Sequence, residues 1–324
     1  MYNVLTLNKI AACGTDLLDK SKYTVGDDIA NPDAILVRSA SMHEMELPAN
    51  LLAVARAGAG VNNIPIDKCS EQGVVVFNTP GANANAVKEL VIAGLLLSSR
   101  KIPAAMDWIK TLKGKGDEVG KLVEKGKSQF VGPEIMGKKL GVIGLGAIGI
   151  LVANAAAELG MDVYGADPFL SVENALKLSG KVHYVKSNKE IFEKCDYITL
   201  HVPALPDTKG MINAEAIASM KKTVRLLNFA RDTLVDEKAI IDALANGGMA
   251  CYVTDFATDG LIGLDGVVAM PHLGASTPES EDNCAVMAVR EITDYIENGN
   301  IRNSVNLPNV EMAISGNAKI CVIH

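Results

Sequence analysis

Lys138–Pro168 reads KKLGVIGLGAIGILVANAAAELGMDVYGADP. Leu140–Ile143 is a short apolar run rich in branched residues, the pattern of a buried strand. Gly144-Leu145-Gly146-Ala147-Ile148-Gly149 follows at once. From Ala147 to Leu159 the residues are mostly Ala, Ile, Leu and Val, and Gly160 closes the run as a helix C-cap would. Met161–Ala166 is a second strand, ended by Asp167. The order is strand, tight glycine turn, helix, strand, acid.

That order predicts a chemistry. Gly144 permits the tight turn, Gly146 lets the backbone approach a pyrophosphate, and Gly149 lets helix and strand pack closely. The free N–H groups and the dipole at the helix start face the phosphates. Asp167 lies 18 residues after Gly149, where an acid hydrogen-bonds ribose hydroxyls. It would repel a 2′-phosphate, and no Arg sits just after it, so NAD is favoured over NADP. A lone G-x-G-x-x-G is weak evidence; this one has the strand, the helix and the acid that the motif requires.

With 324 residues the chain is long enough for two domains, and its 48% apolar share can fill sizeable cores. A net charge of −7 and a pI near 5.4 argue against a nucleic-acid surface. No apolar run reaches the length of a membrane helix. The start, MYNVLTLNKIAACG, lacks the basic region of a secretory signal. Cys13, Cys69, Cys195, Cys251, Cys284 and Cys321 are scattered, with no C-x-x-C. They read as buried thiols of a reduced, cytoplasmic protein, with no metal site.

Ahead of the glycine turn, Tyr2–Leu7, Ala34–Arg38, Leu52–Arg56 and Val74–Phe77 read as short buried strands. Helical patterns at Ile10–Asp19 and Ile66–Gln72 lie between them, implying a parallel α/β layer. The strand tips carry Arg38, then Arg56-Ala57-Gly58-Ala59-Gly60, then Asn78-Thr79-Pro80-Gly81. Two arginines and clustered backbone N–H groups suit an anionic substrate; plain turn chemistry explains each tip equally well. Asn83 or Asn85 could cap a long helix running to about Ser99. Lys110–Lys127, with six lysines and four glycines, reads as a solvated, mobile arm, or as one that crosses to another subunit or meets a phosphate.

Beyond Asp167, strands are expected at His183–Val185, Asp196–Val202, Thr223–Asn228, Ala250–Asp255 and Gly266–Met270. Helices fall at Asn188–Glu193, Asn213–Met220, Asp236–Ala245 and Pro278–Asn298. The result is a six- or seven-stranded doubly wound sheet. Two of its tips stand out: Phe229-Ala230-Arg231-Asp232, and His272 within Pro271-His-Leu-Gly-Ala-Ser-Thr277. Histidine suits proton removal from an alcohol that is losing hydride, and the arginine fork suits a neighbouring carboxylate.

The chain resembles the D-isomer-specific 2-hydroxyacid dehydrogenases, and within them the phosphoglycerate branch. The resemblance rests on Arg56–Asn63, Asn78–Gly81, Gly144–Asp167, Asn228–Arg231 with Val235–Glu237, and Pro271–Thr277. It implies a Rossmann-type cofactor domain, 96–279, inserted into a flavodoxin-like substrate domain, 1–95 and 280–310. It implies NAD-dependent interconversion of 3-phospho-D-glycerate and 3-phosphohydroxypyruvate, at the entry to serine synthesis, by a homodimer. His272 would be the acid/base and Arg231 the anchor of carboxylate and carbonyl oxygen. Gly144, Gly146, Ala147, Ile148, Gly149 and Asp167 would hold NAD. Val202, Phe229, Ala230, Asp255, Gly274 and Ala275 would line the same site. The backbone of Gly58, Ala59 and Gly60 would receive the carboxylate, with Arg38 and Arg56 near the phosphate.

The chain departs from that pattern in two places. The family places a Glu between the strand ending at Asp255 and the His; here none occurs, and Asp259 is the nearest substitute, with Asp265 a second. Asp232 stands where the family has Gly. At the other end, Asn306–Val310 and Ala318–His324 resemble the run-in to an ACT-type regulatory domain, so 311–324 reads either as the tail of a naturally short protein or, the favoured reading, as the start of a missing domain. Two rival functions remain at this level: a reductase of glyoxylate, hydroxypyruvate or lactate, and a non-catalytic NAD-sensing protein.

Overall fold

The computed structural model describes residues 1–313, 316, 319, 320 and 322. Most of the segment resembling the start of a further domain, Ala318–His324, lies outside the described residues. The chain divides into two compact units, Met1–Ala86 with the residues from Ala275 on, and Val87–Gly274.

The first unit holds β1 (Tyr2–Leu7), β2 (Tyr23–Gly26), β3 (Ala34–Val37), β4 (Ala53–Arg56) and β5 (Val75–Phe77). They form one parallel sheet in the order β2-β1-β3-β4-β5, the flavodoxin-like arrangement. Side chains alternate between two cores. Ala34, Leu36, Ala53, Ala55, Val75 and Phe77 enter one. Ile35, Val37, Val54 and Val76 enter the other. A sheet covered on both faces explains why these strands read as unbroken apolar runs.

Two elements differ from the sequence reading. The helix expected over Ile10–Asp19 spans only Ala12–Thr15. Gly14 there lies so close to Ala285 that a Cβ would sit 2.6 Å from the Ala285 carbonyl carbon, and the chain turns away after Thr15. β2 was not anticipated: it is a four-residue edge strand with exposed Thr24 and Val25. The helix starting at Ala84 puts Asn83 just before it and Asn85 inside it.

The second unit holds β6 (Lys139–Ile143), β7 (Asp162–Ala166), β8 (His183–Tyr184), β9 (Tyr197–Leu200), β10 (Arg225–Asn228), β11 (Cys251–Thr254) and β12 (Val267–Ala269). All seven run parallel, in the order β12-β11-β10-β9-β6-β7-β8. The order reverses at β6, whose neighbours are β7 and β9. Two cores again cover the sheet: Leu140, Val142, Tyr197, Leu227 and Val253 face one, and Ile143, Ile198, Leu200, Leu226 and Tyr252 the other. A helix over Val172–Lys177, capped by Ser171 Oγ accepting the Asn174 N–H, is additional to the sequence reading.

The lysine-rich stretch is not a structureless arm. Residues 102–130 form helices at Ile102–Lys110 and Val119–Gly126, with single 3-10 turns around the second. The Trp108 and Phe130 rings meet at 5.4 Å, and Trp108 lies over Gly126, where a Cβ would come within 2.3 Å of the indole. The lysines remain exposed. Cys69, Cys195, Cys251 and Cys284 are buried, whereas Cys13 is exposed. Burial pushes the Cys195 thiol up to about 12 and Cys251 to about 11, which keeps both unreactive.

Gly141 tests the packing of this sheet. A Cβ there would lie 2.2 Å from Ile191 Cγ2 and 3.2 Å from Cys195 Sγ. Gly141→Ala is expected to cost about 1–3 kcal/mol of stability through overpacking. Urea unfolding measures it, and an unmoved midpoint would show that the second core yields freely.

Candidate active site

The carboxyl edge of the seven-stranded sheet forms one row. Register pairs Ala166 with Ile143, Ile143 with Leu200, Leu200 with Asn228, Asn228 with Thr254, and Thr254 with Ala269. The residues immediately beyond that row are Asp167, Gly144, His201, Phe229, Asp255 and Met270. Arg231 and His272 follow within three residues of their strand ends. Parallel pairing therefore brings the sequence-predicted residues of this unit to one edge, at the point where strand order reverses. That is where open α/β sheets bind ligands.

Short polar side chains turn the chain off the sheet. Asp167 Oδ1 accepts the Phe169 N–H at 2.8 Å, Asn228 Oδ1 the Ala230 N–H at 3.2 Å, and Thr254 Oγ1 the Phe256 N–H at 3.1 Å. Each side chain takes the N–H two residues on, the Asx- and ST-turn geometry. Asn228 Nδ2 also donates to the Arg231 carbonyl at 2.8 Å, fixing the backbone that carries that arginine. Asp232, one of the two departures from the family pattern, opens a single 3-10 turn and accepts the Thr233 N–H. Arg231 is exposed, with one guanidinium N–H on the Ala230 carbonyl at 2.6 Å.

The glycine turn has the predicted form. Gly144 has φ +93°, and a Cβ on it would meet the His201 carbonyl at 2.5 Å. A Cβ on Gly149 would meet the Gly144 carbonyl oxygen at 1.9 Å, so helix and turn touch through backbone. Gly146, at the helix N-cap, has no side-chain cap and open space where a Cβ would be. Ala147 and Ile148 follow in the first helical turn. Asp167 Oδ2 accepts the Leu145 N–H at 2.8 Å, placing the acid beside the turn.

Three tips surround the far side. Phe229 is buried against Gly94, while Val202 and Ala230 are half-buried. Asp255 is only 2% exposed. Its Oδ2 accepts the Gly274 N–H at 3.2 Å, and its Oδ1 is buried with no hydrogen-bond partner among the described residues. Burial pushes the Asp255 carboxyl above the usual carboxylate range; the His272 charge and the Gly274 N–H pull it back. His272 is exposed and meets the Phe256 ring edge-on at 5.1 Å. The buried carboxylate under the field of His272 is thus Asp255. Asp259 and Asp265 are exposed in the turns that follow. That loop is pinned elsewhere, by Thr258 Oγ1 donating to Glu237 Oε2 at 2.9 Å.

His201 was not singled out in the sequence. Its Nε2 lies 3.0 Å from Thr199 Oγ1, its Nδ1 is buried without a partner among the described residues, and burial pushes it down to about 3. It is a neutral imidazole behind the glycine turn. Nothing in the local pattern distinguishes it before β9 is paired with β6.

The other predicted residues gather in the first unit. Arg56 Nε donates to the Arg38 carbonyl at 2.9 Å, and its Nη1 donates to the Gly60 carbonyl. Arg38 is ion-paired with Glu281 at 2.7 Å. Thr79 N–H donates to the Gly58 carbonyl at 3.2 Å, and Asn78 Nδ2 to the Ala59 carbonyl at 2.6 Å. Ala275 also belongs to this unit. A separate open pocket of about 570 Å³ lies where β1 and β2 end, among Thr6, Asn8, Lys9 and Asp27; none of the predicted residues lines it.

An open glycine cradle at a helix start, an acid beside it and an orphaned buried carboxylate oxygen fit a dinucleotide. The fold and the site define a dinucleotide-binding oxidoreductase architecture. Residues 92–274 match the family described as D-isomer specific 2-hydroxyacid dehydrogenase, NAD binding domain. The chain belongs to this family, and its cofactor is NAD. It is 34% identical to the D-3-phosphoglycerate dehydrogenase of Bacillus subtilis, over 95% of this chain and 59% of that protein. It is 33% identical to the rat protein of the same name, over 92% of this chain and 55% of the relative. The chain thus spans somewhat more than half the length of these relatives. The NAD⁺-bound 3-phosphoglycerate dehydrogenase of Entamoeba histolytica superposes with a TM-score of 0.74 at 27% identity, covering 94% of this chain and 98% of that one. A Sinorhizobium meliloti NADPH-dependent glyoxylate/hydroxypyruvate reductase shares the fold, with a TM-score of 0.76 at 21% identity over 97% of this chain and 99% of the other.

Gly146 separates folding from cofactor binding. Because a Cβ there meets nothing within 4 Å, Gly146→Ala is expected to leave the thermal midpoint of the free protein unchanged. The methyl would occupy the space a pyrophosphate needs, raising the NADH dissociation constant by roughly tenfold or more. Fluorescence titration of NADH measures it, and wild-type affinity in the variant would place the phosphates elsewhere.

Proposed function

We propose that this protein oxidises 3-phospho-D-glycerate to 3-phosphohydroxypyruvate and catalyses the reverse reduction. The observation that carries the reading is the single strand-end row that sets Arg231, Asp255 and His272 at the edge where the glycine cradle opens. The choice of substrate is supported by the relatives of that name.

NAD, when bound, supplies the two-electron acceptor for the C2–H hydride. Gly144, Gly146, Gly149, Ala147 and Ile148 would hold its pyrophosphate, and Asp167 its ribose. Val202, Phe229 and Ala230 would line the ring side, with Asp255, Gly274 and Ala275. His272 Nε2 or Nδ1 takes the C2 hydroxyl proton in oxidation and returns it in reduction. Arg231 holds the carboxylate with its fork and polarises the C2 oxygen. Asp255 steadies the imidazolium that His272 becomes; this is the work anticipated for Asp259. In the first unit, the N–H groups of Gly58–Gly60 receive the carboxylate, while Arg38 and Arg56 recognise the phosphate. The two compact units are accordingly the substrate-recognising and the NAD-binding domains.

The protein acts as a homodimer in the cytoplasm. Support for the dimer comes from Ile102, Met106 and Ile109, which stand exposed at helical spacing on the helix Ile102–Lys110. No described helix is long and apolar enough to cross a membrane.

A second reading, reduction of glyoxylate or hydroxypyruvate, is favoured by one observation: Arg38 is already neutralised by Glu281. NADH-absorbance assays with 3-phosphohydroxypyruvate beside unphosphorylated 2-keto acids separate the two. His272→Ala should lower turnover about 10²–10⁴-fold, as removal of a general acid/base does; unchanged turnover would remove His272 from the chemistry. Removing the charges of Arg38 and Arg56 should raise KM for the phosphorylated substrate more than for glyoxylate. Equal effects would favour the second reading.

A further inference from the structure

Glu291 is a carboxylic acid where packing alone would place an aliphatic residue. It lies on the helix Pro278–Asn298 among Ala288, Val289 and Ile292, all part of the first unit's core, and is 8% exposed. Burying such a group is costly, so its presence calls for a role beyond filling space. Its Oε1 accepts the Asn303 side-chain N–H at 2.8 Å. Its Oε2 is buried with no partner among the described residues.

Asn303 is itself unusual. Its φ is +57°, in the left-handed region that glycine favours. In that conformation its carbonyl accepts the Asn78 N–H at 3.4 Å, and the following Ser304 bridges to Phe77 at the end of β5. Asn78 in turn donates from Nδ2 to the Ala59 carbonyl at 2.6 Å, beside the Thr79–Gly58 hydrogen bond. A continuous set of hydrogen bonds thus runs from a buried acid to the Gly58–Gly60 loop.

We propose that Glu291 is a positioning residue that sets, through Asn303 and Asn78, the shape of the Gly58–Gly60 loop that receives the substrate carboxylate. The proposal rests on that assignment of the loop. Glu291 works as the neutral acid. Burial pushes its carboxyl up to about 8, and the Asn303 amide opposes the shift. Of the elements packed against the helix Pro278–Asn298, β3 and β5 carry no charged residue, Ala12–Thr15 carries the exposed Cys13, and β4 ends in Arg56, whose guanidinium donates to the Arg38 and Gly60 carbonyls. The folded protein holds this proton more tightly than the unfolded chain does. The associated stability is therefore complete at low pH and lost as pH rises through about 8. Above that value an uncompensated charge appears under the loop.

The test is steady-state reduction of 3-phosphohydroxypyruvate and glyoxylate from pH 6.5 to 9.5, with wild type, Glu291→Leu, Glu291→Gln and Asn303→Ala. Beside it, calorimetry measures oxalate binding to the NAD⁺-loaded proteins. Glu291→Leu and Asn303→Ala should raise KM and the oxalate dissociation constant about tenfold, the size of one lost buried hydrogen bond, with kcat within about twofold. Glu291→Gln should keep the wild-type KM at pH 7 and abolish its rise above pH 8. If Glu291→Leu does not fold, Asn303→Ala and Glu291→Gln decide. Wild-type KM, oxalate affinity and pH profile in all variants that fold would overturn the proposal, as would failure of wild type to bind oxalate. Oxalate binding that responds to the variants, with no turnover of either keto acid, would support the loop device while removing the proposed function.

Discussion

Parallel register is the constraint on which the second unit depends. Because Ala166, Ile143, Leu200, Asn228, Thr254 and Ala269 share one row, six strands end on a single line. Slipping one strand by a residue would move its buried side chains to the wrong core. It would also pull its tip out of the row. Packing therefore enforces the alignment of the candidate site residues. The polar residues at the strand ends are part of the same device, since Asp167, Asn228 and Thr254 satisfy the N–H groups where the chain leaves the sheet. Asn228 and Thr254 are fully buried and Asp167 half-buried; each stands in for a backbone partner and leaves its tip in a fixed direction.

Electrostatics at that edge follow from burial. Asp255 sits at the base of the row with one oxygen on a backbone N–H and the other without a partner among the described residues. In water such a carboxylate would be an ordinary anion. Here desolvation raises its proton affinity, and the imidazole of His272 partly reverses that. His272 and Asp255 come from the ends of adjacent strands β12 and β11, so their relation is a property of the sheet rather than of either loop. In the first unit the same logic places Arg56 on backbone carbonyls and Arg38 on Glu281. The Arg38–Glu281 pair is exposed, and such a pair contributes little to stability.

Much of this was legible beforehand, for identifiable reasons. Strands buried on both faces are unbroken apolar runs, so β3, β5, β6, β9, β10 and β11 stood out. The glycine turn was readable because each glycine answers a local steric demand: positive φ at Gly144, open space at Gly146, backbone contact at Gly149. Elements with weak local signals were not. β2 is a half-exposed edge strand, the Ala12–Thr15 helix ends where Gly14 abuts Ala285 of the helix Pro278–Asn298, and in the lysine-rich stretch Trp108 covers Gly126. Each depends on residues distant in sequence.

The sequence by itself determined the cofactor class and the doubly wound architecture, and it named His272, Arg231 and Asp167 as candidates. The architecture and the glycine turn with its acid need only the periodicity, spacing and side-chain chemistry of a local stretch, whereas the roles expected of His272 and Arg231 rest on the family resemblance of the motifs around them. Which carboxylate lies buried under the charge of His272 was decided only by tertiary structure. Asp259 is nearer in the chain, but Asp255 is the one held under the imidazole's field, because strand pairing sets distance in space independently of distance along the backbone. The buried acid at Glu291 and the neutral His201 belong to the same category: desolvation by residues far away in the chain shifts their titration.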